Sequence, residues 1–255
     1  MRLRHAVPGR SWRGLLVPAA VAFLVLIGLG TWQLERKSWK EALIASLTER
    51  LAAPPEALPP ASAWKDLDPA SDEFRHVSFS AEFDHAKEAL VYAAASAFRP
   101  DVSGPGYWVF TPARLASGTL LLVNRGFVAE GRQGPATRPE GQISGLVTIM
   151  GALRWPPMRR WFTPRDDPTH NLWFIPDLDA ISAAKGLAGV APFYVEQEIP
   201  VPPGGLPRPG KLVVRLPDNH LQYAVTWYGL AIVLAVVFVA WARSSRRSPQ
   251  SSPSL

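Results

Sequence analysis

His220 is the residue whose type and surroundings point most directly to chemistry. It stands in Asp218-Asn219-His220-Leu221-Gln222-Tyr223-Ala224-Val225-Thr226-Trp227-Tyr228. Asp218 or Asn219 suits a helix N-cap, which puts His220 in the first helical turn. Tyr223, Ala224, Trp227 and Tyr228 follow at three, four, seven and eight residues, so all share its face. The positive end of a helix favours an uncharged imidazole, which keeps a nitrogen lone pair available. A neutral histidine above flat aromatic side chains is suited to ligate a haem iron, with Tyr223 and Trp227 beside the macrocycle. The same spacing also describes an interfacial cap with ordinary aromatic-belt residues, and from spacing alone this plainer reading is the stronger.

Other polar groups suggest less. His5, His76, His85 and His170 form no metal-ligand pair at helical spacing, and no HExxH, P-loop, GxGxxG or GxSxG occurs. Asp166-Asp167 and Asp177/Asp179 lack an accompanying nucleophile or metal motif, so they read as loop solvation and helix capping, and no catalysis is expected. Asn124-Arg125-Gly126 ends a very apolar segment. Arg125 there either pairs with an acid at a hairpin end or grips an anionic group such as a haem propionate.

Two uncharged apolar runs, Leu15–Leu34 and Leu221–Ala242, must position His220. Each has about 20 residues, or roughly 30 Å of helix, the hydrocarbon thickness of a bilayer. Neither carries the polar stripe of a buried globular helix. Of 27 basic and 21 acidic residues, seven basic and one acidic lie outside residues 36–220. The intervening domain is therefore neutral, with no footprint for nucleic acid. Arg2, Arg4, Arg10, Arg13, Arg243, Arg246 and Arg247 flank the runs and read as positive-inside signals. The expected organisation is a basic tail (1–14), a first span (15–34), an extracytoplasmic domain (35–219), a second span (220–242) and a second cytoplasmic tail (243–255). Both termini then face the cytoplasm or matrix, and the domain faces a periplasm or intermembrane space. Gly28-Leu29-Gly30-Thr31-Trp32-Gln33 does not resemble a small-x-small cleavage site, so the first run reads as an anchor rather than a removed signal. The chain has no cysteine, which excludes disulfides and thiolate-held metals.

Beyond the first span, Trp39, Leu43, Leu47 and Leu51 recur every four residues and predict a continuing amphipathic helix. Pro-rich segments at 54–60 and 202–209 read as connectors. Between them, residues 76–83 alternate with period two, while 107–111 and 119–128 read as a hairpin. Further strands are expected at 143–153, 193–196 and 212–216, and one helix at 178–185 between Asp177 and Gly186. The fold class is α+β: two transmembrane helices flanking an antiparallel, β-rich, partly closed barrel-like domain. An Ala-, Arg- and Pro-rich composition leans toward a bacterial inner membrane.

Four segments resemble the surfeit locus 1 proteins of cytochrome c oxidase assembly. They are Leu29-Gly30-Thr31-Trp32-Gln33-Leu34-Glu35-Arg36-Lys37-Ser38-Trp39-Lys40, Gly106-Tyr107-Trp108-Val109-Phe110-Thr111-Pro112, Leu122-Val123-Asn124-Arg125-Gly126-Phe127-Val128, and the His220 segment. The resemblance implies a membrane assembly factor that binds haem a and assists its insertion into oxidase subunit I, with haem a synthase as a further partner. It favours His220 as the haem-associated histidine; Trp32 and Gln33 are its expected neighbours because both spans have their exported ends at the same membrane surface. Asp218 where the family commonly has Asn, and Ala81 where it often has Gly, are the departures. The competing reading is a scaffold that steadies an oxidase assembly intermediate without touching haem.

Overall fold

A computed structural model describes residues 12–96, 98–214 and 218–247. The helices are α1 (Trp12–Ala52), α2 (Pro69–Asp72), α3 (Leu178–Lys185) and α4 (His220–Arg247). The strands are β1 (Glu56–Ala57), β2 (His76–Phe83), β3 (Ala89–Ala95), β4 (Ser103–Leu115), β5 (Leu120–Ala129), β6 (Leu146–Arg154), β7 (Leu172–Trp173) and β8 (Val190–Ile199). The chain divides into two compact units, Met1–Leu43 with Pro217–Leu255, and Ile44–Leu216. Both α1 and α4 are long and apolar enough to cross a membrane.

The domain holds an eight-stranded sheet in the order β1-β2-β6-β8-β5-β4-β3-β7, and an added β2–β4 pairing closes five strands into a barrel. Closure depends on β4. Ala89 to Ala93 of β3 lie against Phe110 to Gly106, whereas Ala113 to Leu115 lie against Phe83 to Ala81 of β2. The strand thus changes its outer partner at Thr111-Pro112, where the proline has no N–H to donate. Most pairings are antiparallel, as expected, but β5–β8, β1–β2 and β3–β7 are parallel.

β5 explains its own sequence. A run of apolar residues marks a strand covered on both faces. Leu121 and Val123 enter the barrel core with Val77, Ile149 and Phe193, while Leu122 packs outside it with Phe110, Trp173, Ile181 and Tyr194. Helix α3 closes that outer layer. Asp177 accepts the Ala180 N–H at 3.0 Å, and Gly186 ends the helix in the left-handed region at φ 61°.

Several expectations need correction. The hairpin and the strand expected at 193–196 are longer than the sequence suggested, and β6 starts at Leu146 rather than Ile143. β3 is missing from the sequence reading because Ala-rich Ala89-Leu90-Val91-Tyr92-Ala93-Ala94-Ala95 has weak strand propensity. Residues 212–214 form no strand; Val213 makes a single bond to the Phe98 carbonyl at 2.8 Å, and residues 215–216 lie outside the described residues. The Pro-rich segments are packed straps rather than simple connectors. The first supplies β1, and the second pairs Arg208 with Phe127 through bonds of 3.0 and 2.8 Å.

His76, which opens the alternating segment 76–83, is buried near the end of α1. Its Nδ1 lies 3.1 Å from the Ala53 carbonyl and its Nε2 3.0 Å from Glu198 Oε1. The Glu198 hydrogen bond raises the His76 pKa above 6.5 against the opposing effects of burial and Lys211. A raised folded value means this clamp stabilises fully below about pH 6.5 and is lost as pH rises through the folded value. A charged hydrogen bond of this kind is worth about 1.5–3 kcal/mol. Thermal melts across that range should show wild type losing stability with rising pH, and His76→Gln should flatten the dependence. An equal slope in both proteins would remove His76 as the cause.

Candidate functional site

Within the helical unit, α1 and α4 are in contact through Gly30, Thr31 and Gln33 of α1 and Tyr228 and His220 of α4. Gly30 takes the Tyr228 ring so closely that a Cβ there would stand 2.7 Å from it. Thr31 Oγ1 and the Tyr228 hydroxyl are 3.1 Å apart, a contact worth about 0.6–2 kcal/mol between membrane helices. One turn further, His220 Nδ1 lies 2.7 Å from Gln33 Oε1. Small residues permit this approach: Gly30 is buried on α1, and Ala224 and Ala231 are buried on α4.

The Gln33 contact fixes the histidine chemically. An amide oxygen only accepts, so Nδ1 carries the hydrogen and donates it. In the neutral ring Nε2 is then the nitrogen with an in-plane lone pair. The His220 backbone N–H donates to Asp218 Oδ1 at 2.9 Å, and Tyr223 N–H donates to the Asn219 carbonyl at 3.1 Å. Asp218 supplies the side-chain cap, and His220 opens α4 as the sequence predicts.

The other sequence-selected residues divide. Trp227 and Tyr228 are half-buried on the face that carries Ala224, whereas Tyr223 is 54 % exposed. Trp32, next to Gln33, is 50 % exposed. These exposed rings offer flat apolar surface near the paired His220 and Gln33 in sequence. Among the described residues no group of three or more His, Cys, Asp or Glu could hold a bare metal ion. A single imidazole with aromatic neighbours would suit a haem, whose iron takes its remaining ligands chiefly from the porphyrin.

Arg125 belongs to the domain unit and has a different setting. Its side chain is 1 % exposed, with Nη1 3.4 Å from Glu88 Oε1 and 3.2 Å from His85 Nδ1, and Nη2 bonded to the Gly141 carbonyl. Its guanidinium also covers the Phe83 ring at 4.7 Å. Arg138 binds both oxygens of the same Glu88. Burial would raise the Glu88 pKa, but hydrogen bonds from His85 and Arg138, with the charges of Arg138 and Arg125, bring it down to about 2. Burial lowers Arg125 to about 10. Of the two roles open to Arg125, the geometry gives the paired one: its charge faces Glu88 and not an outside propionate. Neither Glu88 nor Arg138 carries a sequence signal that would have identified it as the partner.

Asn124 points to the opposite side of β5. It donates to Glu196 Oε1 at 3.0 Å and accepts the Gly126 N–H at 3.1 Å, tying β5 to β8. Burial pushes the Glu196 carboxyl upward.

Two membrane-length helices, joined by an oriented histidine–glutamine pair and flanking a barrel domain, define a membrane-anchored α+β protein. A sequence model described as the SURF1 family matches residues 20–232. The chain is 34 % identical over 249 residues to Surfeit locus protein 1 of Rattus norvegicus, covering 94 % of this chain and 77 % of the rat protein. It is 35 % identical over 244 residues to the Takifugu rubripes protein of that name, covering 90 % and 95 %. A SURF1-like protein of Monosiga brevicollis is 35 % identical over 253 residues, covering 96 % and 92 %. This chain belongs to the SURF1 family.

Proposed function

We propose that the chain is an assembly factor for cytochrome c oxidase that holds haem a through His220 and delivers it to subunit I, with haem a synthase as the donor-side partner. Family membership supports the oxidase role. The observation that carries the haem reading is the 2.7 Å contact of His220 Nδ1 with Gln33 Oε1. A hydrogen bond on one imidazole nitrogen fixes the tautomer and raises the basicity of the other.

When bound, haem a brings an electron-accepting iron and a broad apolar ring. The chain's part is to bind and orient. His220 supplies Nε2, Gln33 holds the ring direction, and Trp32, Tyr223 and Trp227 supply aromatic contact. The bilayer supplies the apolar surroundings of α1 and α4. We place both termini in the cytoplasm and the domain in the periplasm of a bacterial inner membrane, following the flanking arginines. The same arrangement in a eukaryote would put the domain in the mitochondrial intermembrane space.

The test uses cells lacking this chain, read by the haem a absorbance of their membranes. The wild-type chain should restore the band, and His220→Ala at equal abundance should not. Full restoration by His220→Ala would favour a scaffold that does not handle haem.

A further inference from the structure

The turn after β6 carries side chains that a water-facing turn does not ordinarily carry. Tight turns favour Gly, Pro, Asn, Asp and Ser. Here the two central residues of the turn at 160–163 are Trp161 and Phe162, which are 96 % and 61 % exposed, and nearby Met158 is 92 % exposed. An isolated exposed apolar residue is ordinary, but three within five positions form a patch.

The turn is built to hold these rings outward. Thr163 N–H donates to the Arg160 carbonyl at 3.0 Å, and Arg160 N–H donates to Thr163 Oγ1 at 3.2 Å. Arg159 braces the loop by donating to the Pro164 carbonyl at 2.8 Å and pairing with Asp166, which accepts the Phe174 N–H at 2.8 Å. At the foot, Trp155 packs on Phe193 of the barrel core at 5.6 Å. The tip rings stand edge to face at 5.5 Å. Ordering the turn in place lowers the entropy lost on binding.

Charge selects the occupant. Arg160 and Arg165 are exposed and have no acidic partner among the described residues, whereas Asp166 is paired with Arg159 and Asp167 with His170. Tryptophan and phenylalanine prefer the boundary between acyl chains and headgroups, and arginine is attracted to anionic headgroups. The domain is joined at both of its chain ends to helices long and apolar enough to cross a membrane.

We propose that the turn at 160–163 is a membrane-dipping finger, with Trp161 and Phe162 seated in the headgroup region of an anionic phospholipid surface and Arg160 and Arg165 engaging its phosphates. The absence of cysteine allows a clean test. The full chain with Phe162→Cys, carrying a polarity-sensitive fluorophore, is placed in phosphatidylcholine nanodiscs with or without phosphatidylglycerol. The expected result is a blue shift, with quenching by spin-labelled lipid, in the anionic discs. It should be lost with Arg160→Glu and Arg165→Glu together, and absent for a label at exposed Ala184→Cys on α3. Emission that stays water-like in both discs would overturn the proposal. An equal shift in both discs would overturn the role of the arginines. A shift that needs added oxidase subunits would overturn the lipid assignment in favour of a protein surface.

Discussion

Glu88→Ala is expected to destabilise the domain by about 3–5 kcal/mol, because it leaves two buried guanidiniums without their shared carboxylate. Arg125 and Arg138 side chains are each 1 % exposed, and both face Glu88. Their attraction to Glu88 roughly offsets the cost of burying three charges, so removing one partner exposes that cost almost undiminished. Replacing all three together by apolar residues of similar volume should recover most of the loss. Acid provides an independent check. The folded Glu88 pKa of about 2 lies below the reference value of 4.5, so its contribution is present above 4.5 and disappears as pH falls toward 2. Thermal unfolding of the full chain measures both effects. A loss below about 1 kcal/mol, the range of exposed ion pairs, would mean that the cluster is solvated in solution.

Gly126→Ala should cost a comparable amount, about 2–5 kcal/mol, through strain and overpacking together. Gly126 sits at φ 122°, which an L side chain rarely adopts, and an added Cβ would stand 2.2 Å from the Arg208 carbonyl carbon and oxygen. Those are backbone atoms that cannot rotate aside. Relief requires the strap to lift, which breaks the paired Phe127–Arg208 bonds. Gly118 gives the control. It too has positive φ, at 85°, but nothing lies within 4 Å of its added Cβ. Gly118→Ala should cost only the backbone term of about 1–2 kcal/mol. Equal melting losses for the two variants would show that the close approach of the strap is not what Gly126 serves.

The sequence was informative where a residue's role is set by its near neighbours. The two spans, the His220 turn with its Asp218 cap, and α3 between Asp177 and Gly186 all follow from local patterns of hydrophobicity and hydrogen bonding. Alternation located β2, and apolar, β-branched composition located β5 as one arm of a hairpin, though not its burial on both faces. What escaped depends on residues far apart in the chain. Glu88 meets Arg125 across 37 positions and Arg138 across 50, and no spacing rule pairs them. The parallel partnership of β5 with β8 arises from the way the chain returns to the sheet. The 202–209 segment reads as a linker by its prolines and glycines, yet Arg208 pairs with Phe127 and the Leu206 carbonyl sits against Gly141. At the candidate site, His220 was legible by type and position. The Gln33 contact was anticipated only as nearness to the same membrane surface, because hydrogen-bond geometry between two helices is not written in either one.

The proposed function rests on His220, held by Gln33, ligating haem iron. Titration of the purified full chain with haem a, followed at the Soret band, tests it most directly. Wild type should give a saturable shifted band, Gln33→Leu should weaken binding about 10–100-fold as loss of a ligand-orienting hydrogen bond does, and His220→Ala should abolish the shift while the protein still melts as wild type. Identical titrations for wild type and folded His220→Ala would contradict the claim.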